Sequence, residues 1–275
     1  MNKFIPKIIG SYLNVLSYVS TNYAANKALH LFSTPRKGLL KDKHLEFLNT
    51  AVKEILYYDD LHIATYHWNG EKQTILLVHG WESNSARWKR KIKYFISEGF
   101  NIIALDAPAH GGSGSKVFNA LLYSEFINVV VKKYHPEIII GHSVGGMSSV
   151  FFQQKYQNQN ITKIVLLGAP SEFEDVLKRY VEMLGYNKKI EKQLKTVIFD
   201  RFGAHPEHFS TAKFVKEIST KGLVIHDTKD PIIPYTDAEL IIKNHANASL
   251  ISTTGLGHSL NDKSVTKNIL DFING

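Results

Sequence analysis

The chain has 275 residues, 44% hydrophobic and 21% charged, enough for one large α/β domain with an insertion. It contains no cysteine, which excludes disulfides, thiolate metal sites and cysteine nucleophiles, and no apolar run approaches the roughly 18 residues needed to span a bilayer. The net charge of +8 comes from lysines dispersed between Lys3 and Lys267; it reads as a solvated basic surface, with weak attraction to anionic lipid or acidic substrates as the alternative, and no motif supports a nucleic-acid partner.

Residues 4–32 place Ile5, Ile8, Ile9, Tyr12, Leu13, Val15, Leu16 and Val19 close to helical spacing, with polar Ser11, Asn14 and Ser17 interleaved. The pattern predicts a helix with two open roles: packing on the domain body, or contact with a membrane surface or another subunit. Lys7 and Asn14 make the same stretch a poor signal-peptide core, so a cytoplasmic protein is expected. Thr34-Pro35-Arg36-Lys37-Gly38 reads as a turn, and a second helix is predicted from Asp42 to Ile55 with Leu45, Phe47, Leu48 and Val52 buried. Residues 1–55 therefore form an expected N-terminal helical extension.

The pattern then turns strand-like. Leu56-Tyr57-Tyr58 and the run from Leu61 to Trp68 flank Asp59-Asp60, which predicts two strands and a tight turn. Short apolar runs follow at Ile75–Val78, Ile102–Leu105, Ile138–Ile140, Ile164–Leu167, Leu223–Ile225 and Ser249–Ser252. Continuous runs of this kind are expected of strands buried on both faces of a parallel sheet. Amphipathic segments at 86–97, 121–134, 147–157, 237–244 and 265–273 separate them, so the alternation predicts a doubly wound α/β domain over residues 56–275. More than fifty residues between Leu167 and Leu223 have helical character and no strand, which predicts a helical cap at about 171–220. Phe173, Leu177, Tyr180 and Met183 are its candidate pocket-lining residues, with packing between cap helices as the competing role.

Gly141-His142-Ser143-Val144-Gly145 lies directly behind the run Ile138–Ile140 and before a helix-compatible segment. It fits the G-x-S-x-G elbow, a sharp strand-to-helix turn that lifts a serine hydroxyl above the sheet edge. A serine hydroxyl needs a base, and the base needs an orienting acid. Both should emerge at the same edge of the sheet. Asp230, in Asp230-Pro231-Ile232-Ile233-Pro234, and His258, in Gly255-Leu256-Gly257-His258-Ser259, follow later core strands in the order Ser, Asp, His. Asp227 is the rival acid; Pro231 and Pro234 favour Asp230 by stiffening the chain behind it. Oxyanion donors are expected from the amides of Val144 and of Trp81, which lies in the loop Val78-His79-Gly80-Trp81. His79 comes too early in the chain order to be the base and is expected to brace that loop.

His79-Gly80-Trp81, the turn from Asp106 to Ser113, Gly141–Gly146, Asp230–Pro234 and Gly257-His258 together resemble the α/β-hydrolase superfamily across about residues 56–275. The resemblance implies an eight-stranded, mostly parallel sheet, a Ser143–Asp230–His258 triad, an oxyanion hole from Trp81 and Val144, and no need of a cofactor or metal. Ala109 departs from the family, whose members commonly carry glycine before the His-Gly pair. Ser143, where some relatives use aspartate, favours an acyl-enzyme and so ester, thioester or amide substrates, although carbon–carbon bond hydrolases and cofactor-free perhydrolases of the family keep the same serine triad. The expected function is a serine hydrolase acting on carboxylic esters, with a small-molecule ester or thioester as substrate. A thioesterase or lipid acyl hydrolase with a surface-seeking N-terminal helix, and a non-catalytic ligand-binding protein, are the alternatives. The sequence leaves the oligomeric state open.

Overall fold

The computed structural model describes residues 4–275. Eight strands are present: β1 (Val52–Tyr58), β2 (Leu61–Trp68), β3 (Thr74–Val78), β4 (Asn101–Leu105), β5 (Ile138–His142), β6 (Lys163–Leu167), β7 (Lys221–Asp227) and β8 (Ala248–Thr253). They form one sheet in the order β1-β2-β4-β3-β5-β6-β7-β8, antiparallel from β1 to β4 and parallel from β4 to β8. The parallel strands are the continuous apolar runs of the sequence. Ile75–Val78, Ile102–Leu105 and all of β5 are fully buried, as two-sided coverage requires. Connections run from β3 to β4 on one side and then from β4 across to β5 on the other. This reversal opens the sheet beyond the carboxyl ends of β3 and β5, where α/β folds build sites.

Eleven α-helices occur among the described residues: α1 (Phe4–Leu16), α2 (Thr21–Ser33), α3 (Asp42–Leu48), α4 (Lys89–Ser97), α5 (Ala120–Tyr134), α6 (Val144–Tyr156), α7 (Phe173–Leu184), α8 (Lys188–Phe202), α9 (Thr211–Phe214), α10 (Tyr235–Asn244) and α11 (Lys263–Asn274). None is long and apolar enough to cross a membrane. The helix expected from Asp42 to Ile55 ends at Leu48 instead, and β1 begins at Val52. In β1, half-buried Glu54, Leu56 and Tyr58 alternate with exposed Lys53, Ile55 and Tyr57, and Val52, expected to be buried, is exposed at the strand's start. Period-two packing against β2 at the sheet edge overrides the helical reading of Val52. The β1–β2 turn is the two-residue connection Asp59-Asp60, with Asp59 in the left-handed region at φ 47°.

The chain divides into two compact units, and the boundaries differ from those expected. The sheet unit comprises Pro35–Ser171 and Thr211–Gly275. The helical unit joins the segment ending at Thr34 to Glu172–Ser210. Residues 35–55, expected in the extension, thus belong to the sheet unit, as does the stretch after Ser210 that was expected in the cap. The physical reason is that the apolar faces of α1 and α2 find their partners in α7 and α8.

Within the helical unit, Ala24, Ala25 and Ala28 present a small-residue face on α2 that lets α8 approach closely, burying Ile190, Leu194 and Ile198. Three polar contacts fix α1 to the end of α7. Lys7 Nζ donates to Glu182 O at 2.9 Å, Asn14 Nδ2 donates to Gly185 O at 2.8 Å, and Asn187 N donates to Asn14 Oδ1 at 2.8 Å. The first two reach carbonyls at the C-terminus of α7, and the third satisfies the Asn187 amide ahead of α8. Of the four candidate pocket residues, Leu177 is buried among the helices, Phe173 packs on the rings of Phe32 and Phe209, and the Tyr180 hydroxyl donates to Ala28 O at 2.9 Å. Met183 is exposed.

α1 and α7 approach closely at Gly10, where an added Cβ would lie 1.8 Å from the backbone oxygen of Leu184. Gly10→Ala is expected to destabilise the helical unit by about 2–3 kcal/mol, read as a lower thermal midpoint and earlier protease cleavage before Thr34. An unchanged melt and digestion pattern would contradict this packing.

Candidate active site

The elbow begins as an extension of the sheet. The Ser143 amide donates to Leu167 O at 2.8 Å, one residue beyond the β5–β6 ladder, and the chain then turns at once into α6. The turn holds Ser143 at φ 54° and ψ −129°, a conformation that costs a non-glycine residue of order 1–3 kcal/mol. Its neighbours cannot carry side chains. A Cβ on Gly145 would lie 2.4 Å from His79 O and 2.5 Å from Val78 O, and one on Gly141 would lie 2.5 Å from Gly146 Cα. Across the gap, a Cβ on Gly80 would fall 3.0 Å from Ser143 Cβ, so only glycine lets the β3 loop come this close to the serine. Among the described residues, neither the Val144 nor the Trp81 amide has a hydrogen-bond partner.

Asp230 and His258 form a pair, with His258 Nδ1 2.7 Å from Asp230 Oδ2. The pairing assigns the ring proton to Nδ1 and leaves Nε2 as the acceptor. Asp230 is fully buried, while His258 keeps 19% of its side-chain surface exposed. Oδ1 of Asp230 accepts from the amides of Ile232 and Ile233 at 2.8 and 3.1 Å. Burial acts to raise the Asp230 carboxyl, but the hydrogen bonds from His258 and these two amides outweigh it, so the group titrates below its ordinary value. Ser143 adjoins the pair through His142, whose ring lies 4.9 Å from that of His258 between centroids. No hydrogen bond joins the Ser143 hydroxyl to His258 among the described residues; such contacts commonly tighten only when substrate is bound.

Asp227, the rival acid, has another task. Its Oδ1 accepts from the amides of Lys229 and Gly255, and its Oδ2 from Thr253 Oγ1 and the Leu256 amide, all within 3.2 Å. It ties the ends of β7 and β8 to the loop that carries His258. The other side of that loop is held by three basic side chains on three consecutive carbonyls. His142 Nε2 donates to His258 O at 2.8 Å, Arg87 Nη2 to Ser259 O at 3.1 Å, and Lys91 Nζ to Leu260 O at 3.0 Å. Burial, reinforced by Arg87 and His258, keeps His142 neutral with its pKa far below the ordinary value. Burial, with Arg87 next in weight, lowers the Lys91 ammonium to about 8. Sequence reasoning missed these holding roles. The visible signals were the i, i+4 spacing of Arg87 and Lys91 and the histidine directly before the elbow serine.

The remaining histidines near the site brace loops. His79 donates from Nδ1 to Gly80 O at 2.8 Å and accepts the Ala107 amide on Nε2 at 2.9 Å. His110 pairs with Pro108 O and the Glu82 amide in the same manner. With both nitrogens occupied, neither ring is available as a base. Ala109 stands at φ 63°, in the left-handed region that favours glycine, so its departure from the family pattern falls at the one backbone geometry where a side chain is strained. Among the described residues, no group of three or more His, Asp and Glu side chains is arranged to hold a metal ion.

A sequence model of the alpha/beta hydrolase fold matches residues 73–196. Among curated proteins, the chain is similar to the bifunctional esterase/perhydrolase DCH of Acinetobacter calcoaceticus, with 24% identity over 72% of this chain and 91% of that one. It is also similar to a non-heme chloroperoxidase of Streptomyces lividans, with 25% identity over 68% of this chain and 85% of that one. Among solved structures, an esterase from Exiguobacterium antarcticum superimposes with a TM-score of 0.63 and 17% identity, covering 82% of this chain and all of the other.

Asp230→Asn would remove the acceptor that fixes the His258 tautomer. Turnover of an activated ester is expected to fall by about 10²–10⁴-fold. Because the folded pKa of Asp230 is depressed, the stability it contributes is present above its unfolded value of about 4 and is lost as pH falls through the lower folded value. Urea melts across this acid window should therefore be flatter for Asp230→Asn than for the wild-type protein.

Proposed function

We propose that this chain, which belongs to the α/β-hydrolase superfamily, is a serine hydrolase that cleaves carboxylic esters through an acyl-enzyme. The observation that carries the reading is the Asp230–His258 pair, its carboxylate buried and its imidazole partly exposed, held at 2.7 Å beside a serine at positive φ. Ser143 Oγ attacks the acyl carbon and passes its proton to His258 Nε2. The developing oxyanion is received by the amides of Trp81 and Val144, which have no other partner to give up. Asp230 stays ionised and stabilises the imidazolium on Nδ1, consistent with its lowered pKa. Collapse of the tetrahedral intermediate breaks the bond to the alkoxide, which takes the proton from Nε2. Water then attacks the acyl-enzyme with His258 again as base, releasing the carboxylic acid and restoring Ser143.

Esters are favoured over amides because an alkoxide leaves more readily, and thioesters fit the same chemistry. The Acinetobacter relative's name pairs esterase with perhydrolase. Hydrogen peroxide in place of water in the second half-reaction would release a peracid, which makes it the second acceptor to assay. A cytoplasmic setting belongs to the same proposal and rests on the cysteine-free sequence.

A fluorophosphonate probe is expected to label Ser143 in the folded protein, with Ser143→Ala as the unlabelled control. On p-nitrophenyl esters of graded chain length, Ser143→Ala and His258→Ala should each lose at least about a thousandfold in kcat. Absence of labelling at Ser143 in folded protein would overturn the enzyme reading in favour of a ligand-binding protein.

A further inference from the structure

α1 carries two apolar surfaces. On one, Leu13 is buried and Gly10 meets Leu184 within the helical unit. The other comprises Ile5, Ile8, Tyr12 and Val15, continued past the helix end by Val19. Exposure along it runs from 51% at Ile5 through 67% at Ile8 and 70% at Val15 to 86% at Val19. At about 100° per residue the four helical positions fall within an arc of roughly 80°. Single exposed apolar side chains need no explanation, but a contiguous stripe marks an interaction surface. Lys7 and Asn14, which could have masked it, are committed instead to backbone groups at the end of α7 and the start of α8.

We propose that this stripe docks on an anionic lipid surface, with α1 lying in the headgroup region. The first argument is charge. Neither α1 nor α2 contains an Asp or Glu, whereas Lys7 and Lys27 lie in them and Lys189 of the same unit lies beside Tyr18. The second argument is the chemistry of the rim. Tyr18 and Tyr23 are exposed at the same end of the stripe; the Lys189 ammonium lies 4.2 Å from the Tyr18 ring centroid and Lys27 lies 5.4 Å from that of Tyr23. Tyrosine rings and snorkelling lysines are the side chains that sit at a bilayer–water interface, around aliphatic residues that enter the acyl boundary. A second copy of the stripe fits less well, because it would bring two acid-free basic segments together. The inference does not depend on the chemistry at Ser143.

The test is co-sedimentation of the full-length protein with vesicles. One set is pure phosphatidylcholine; the other contains roughly 30 mol% phosphatidylglycerol, which supplies the negative surface potential. Wild-type protein is expected to partition onto the anionic vesicles at least about tenfold more than the Ile8→Glu/Val15→Glu double variant, and less at high salt. The variant should keep its thermal midpoint and any esterase activity, since both positions are exposed and outside the catalytic machinery. Equal partitioning of wild type and variant, or no preference for the anionic vesicles, would overturn the proposal. So would self-association that the double substitution abolishes in the absence of vesicle binding, which would assign the stripe to a second copy.

Discussion

Backbone packed directly on backbone, where the first turn of α6 crosses the ends of β3 and β5, is the constraint on which the site depends. Gly145 abuts the carbonyls of Val78 and His79, and Gly141 abuts Gly146. With α6 this close to the strands, the chain has room for one residue between strand and helix, and Ser143 must take positive φ to make the turn. The same approach brings the β3 loop, through Gly80, against the serine. The strain at Ser143 is thus sustained by the many buried apolar contacts of β3, β5 and β6, whose side chains fill the sheet core on either side. A site built on rigid strand ends holds its geometry more closely than one built on free loops.

The loop bearing His258 has no strand of its own beyond Thr253, so its carbonyls at His258, Ser259 and Leu260 find no ladder partners. Buried carbonyls require donors. Three long or ring-bearing basic side chains, from β5, the turn ahead of α4 and α4 itself, supply them, and Asp227 anchors the amides at the loop's other end. A carboxylate that accepts only from amides and a hydroxyl on one side, and basic groups that meet only carbonyls on the other, divide the work cleanly. The histidine imidazole is left to a single acidic partner. This division also explains why two aspartates three residues apart serve different ends. Asp227 is consumed by backbone and hydroxyl donors, whereas one oxygen of Asp230 remains for Nδ1.

Much of the sheet unit was legible because its strands are buried on both faces and so write uninterrupted Ile, Leu and Val runs into the sequence. The elbow was legible because glycine is the only residue that fits its neighbours. What could not be read depended on partners remote in sequence. Val52 suits a helix or a strand locally, and only pairing with His67 decides it. The boundary at Thr34 was hidden for the same reason: α1 and α2 are ordinary amphipathic helices until α7 and α8, far along the chain, supply their other half. The carbonyl contacts of Arg87 and Lys91 were invisible because a backbone acceptor leaves no mark on the residue that provides it.

The helical unit is assembled from two segments separated by the greater part of the sheet. During synthesis α1 and α2 leave the ribosome ahead of α7 and α8, which follow only after about 140 further residues, a delay of the order of ten seconds at typical elongation rates. Throughout that interval the alanine face of α2 and both apolar surfaces of α1 have no intramolecular partner. The nascent chain therefore presents its most hydrophobic helix to chaperones, or to any nearby bilayer, well before the serine elbow exists.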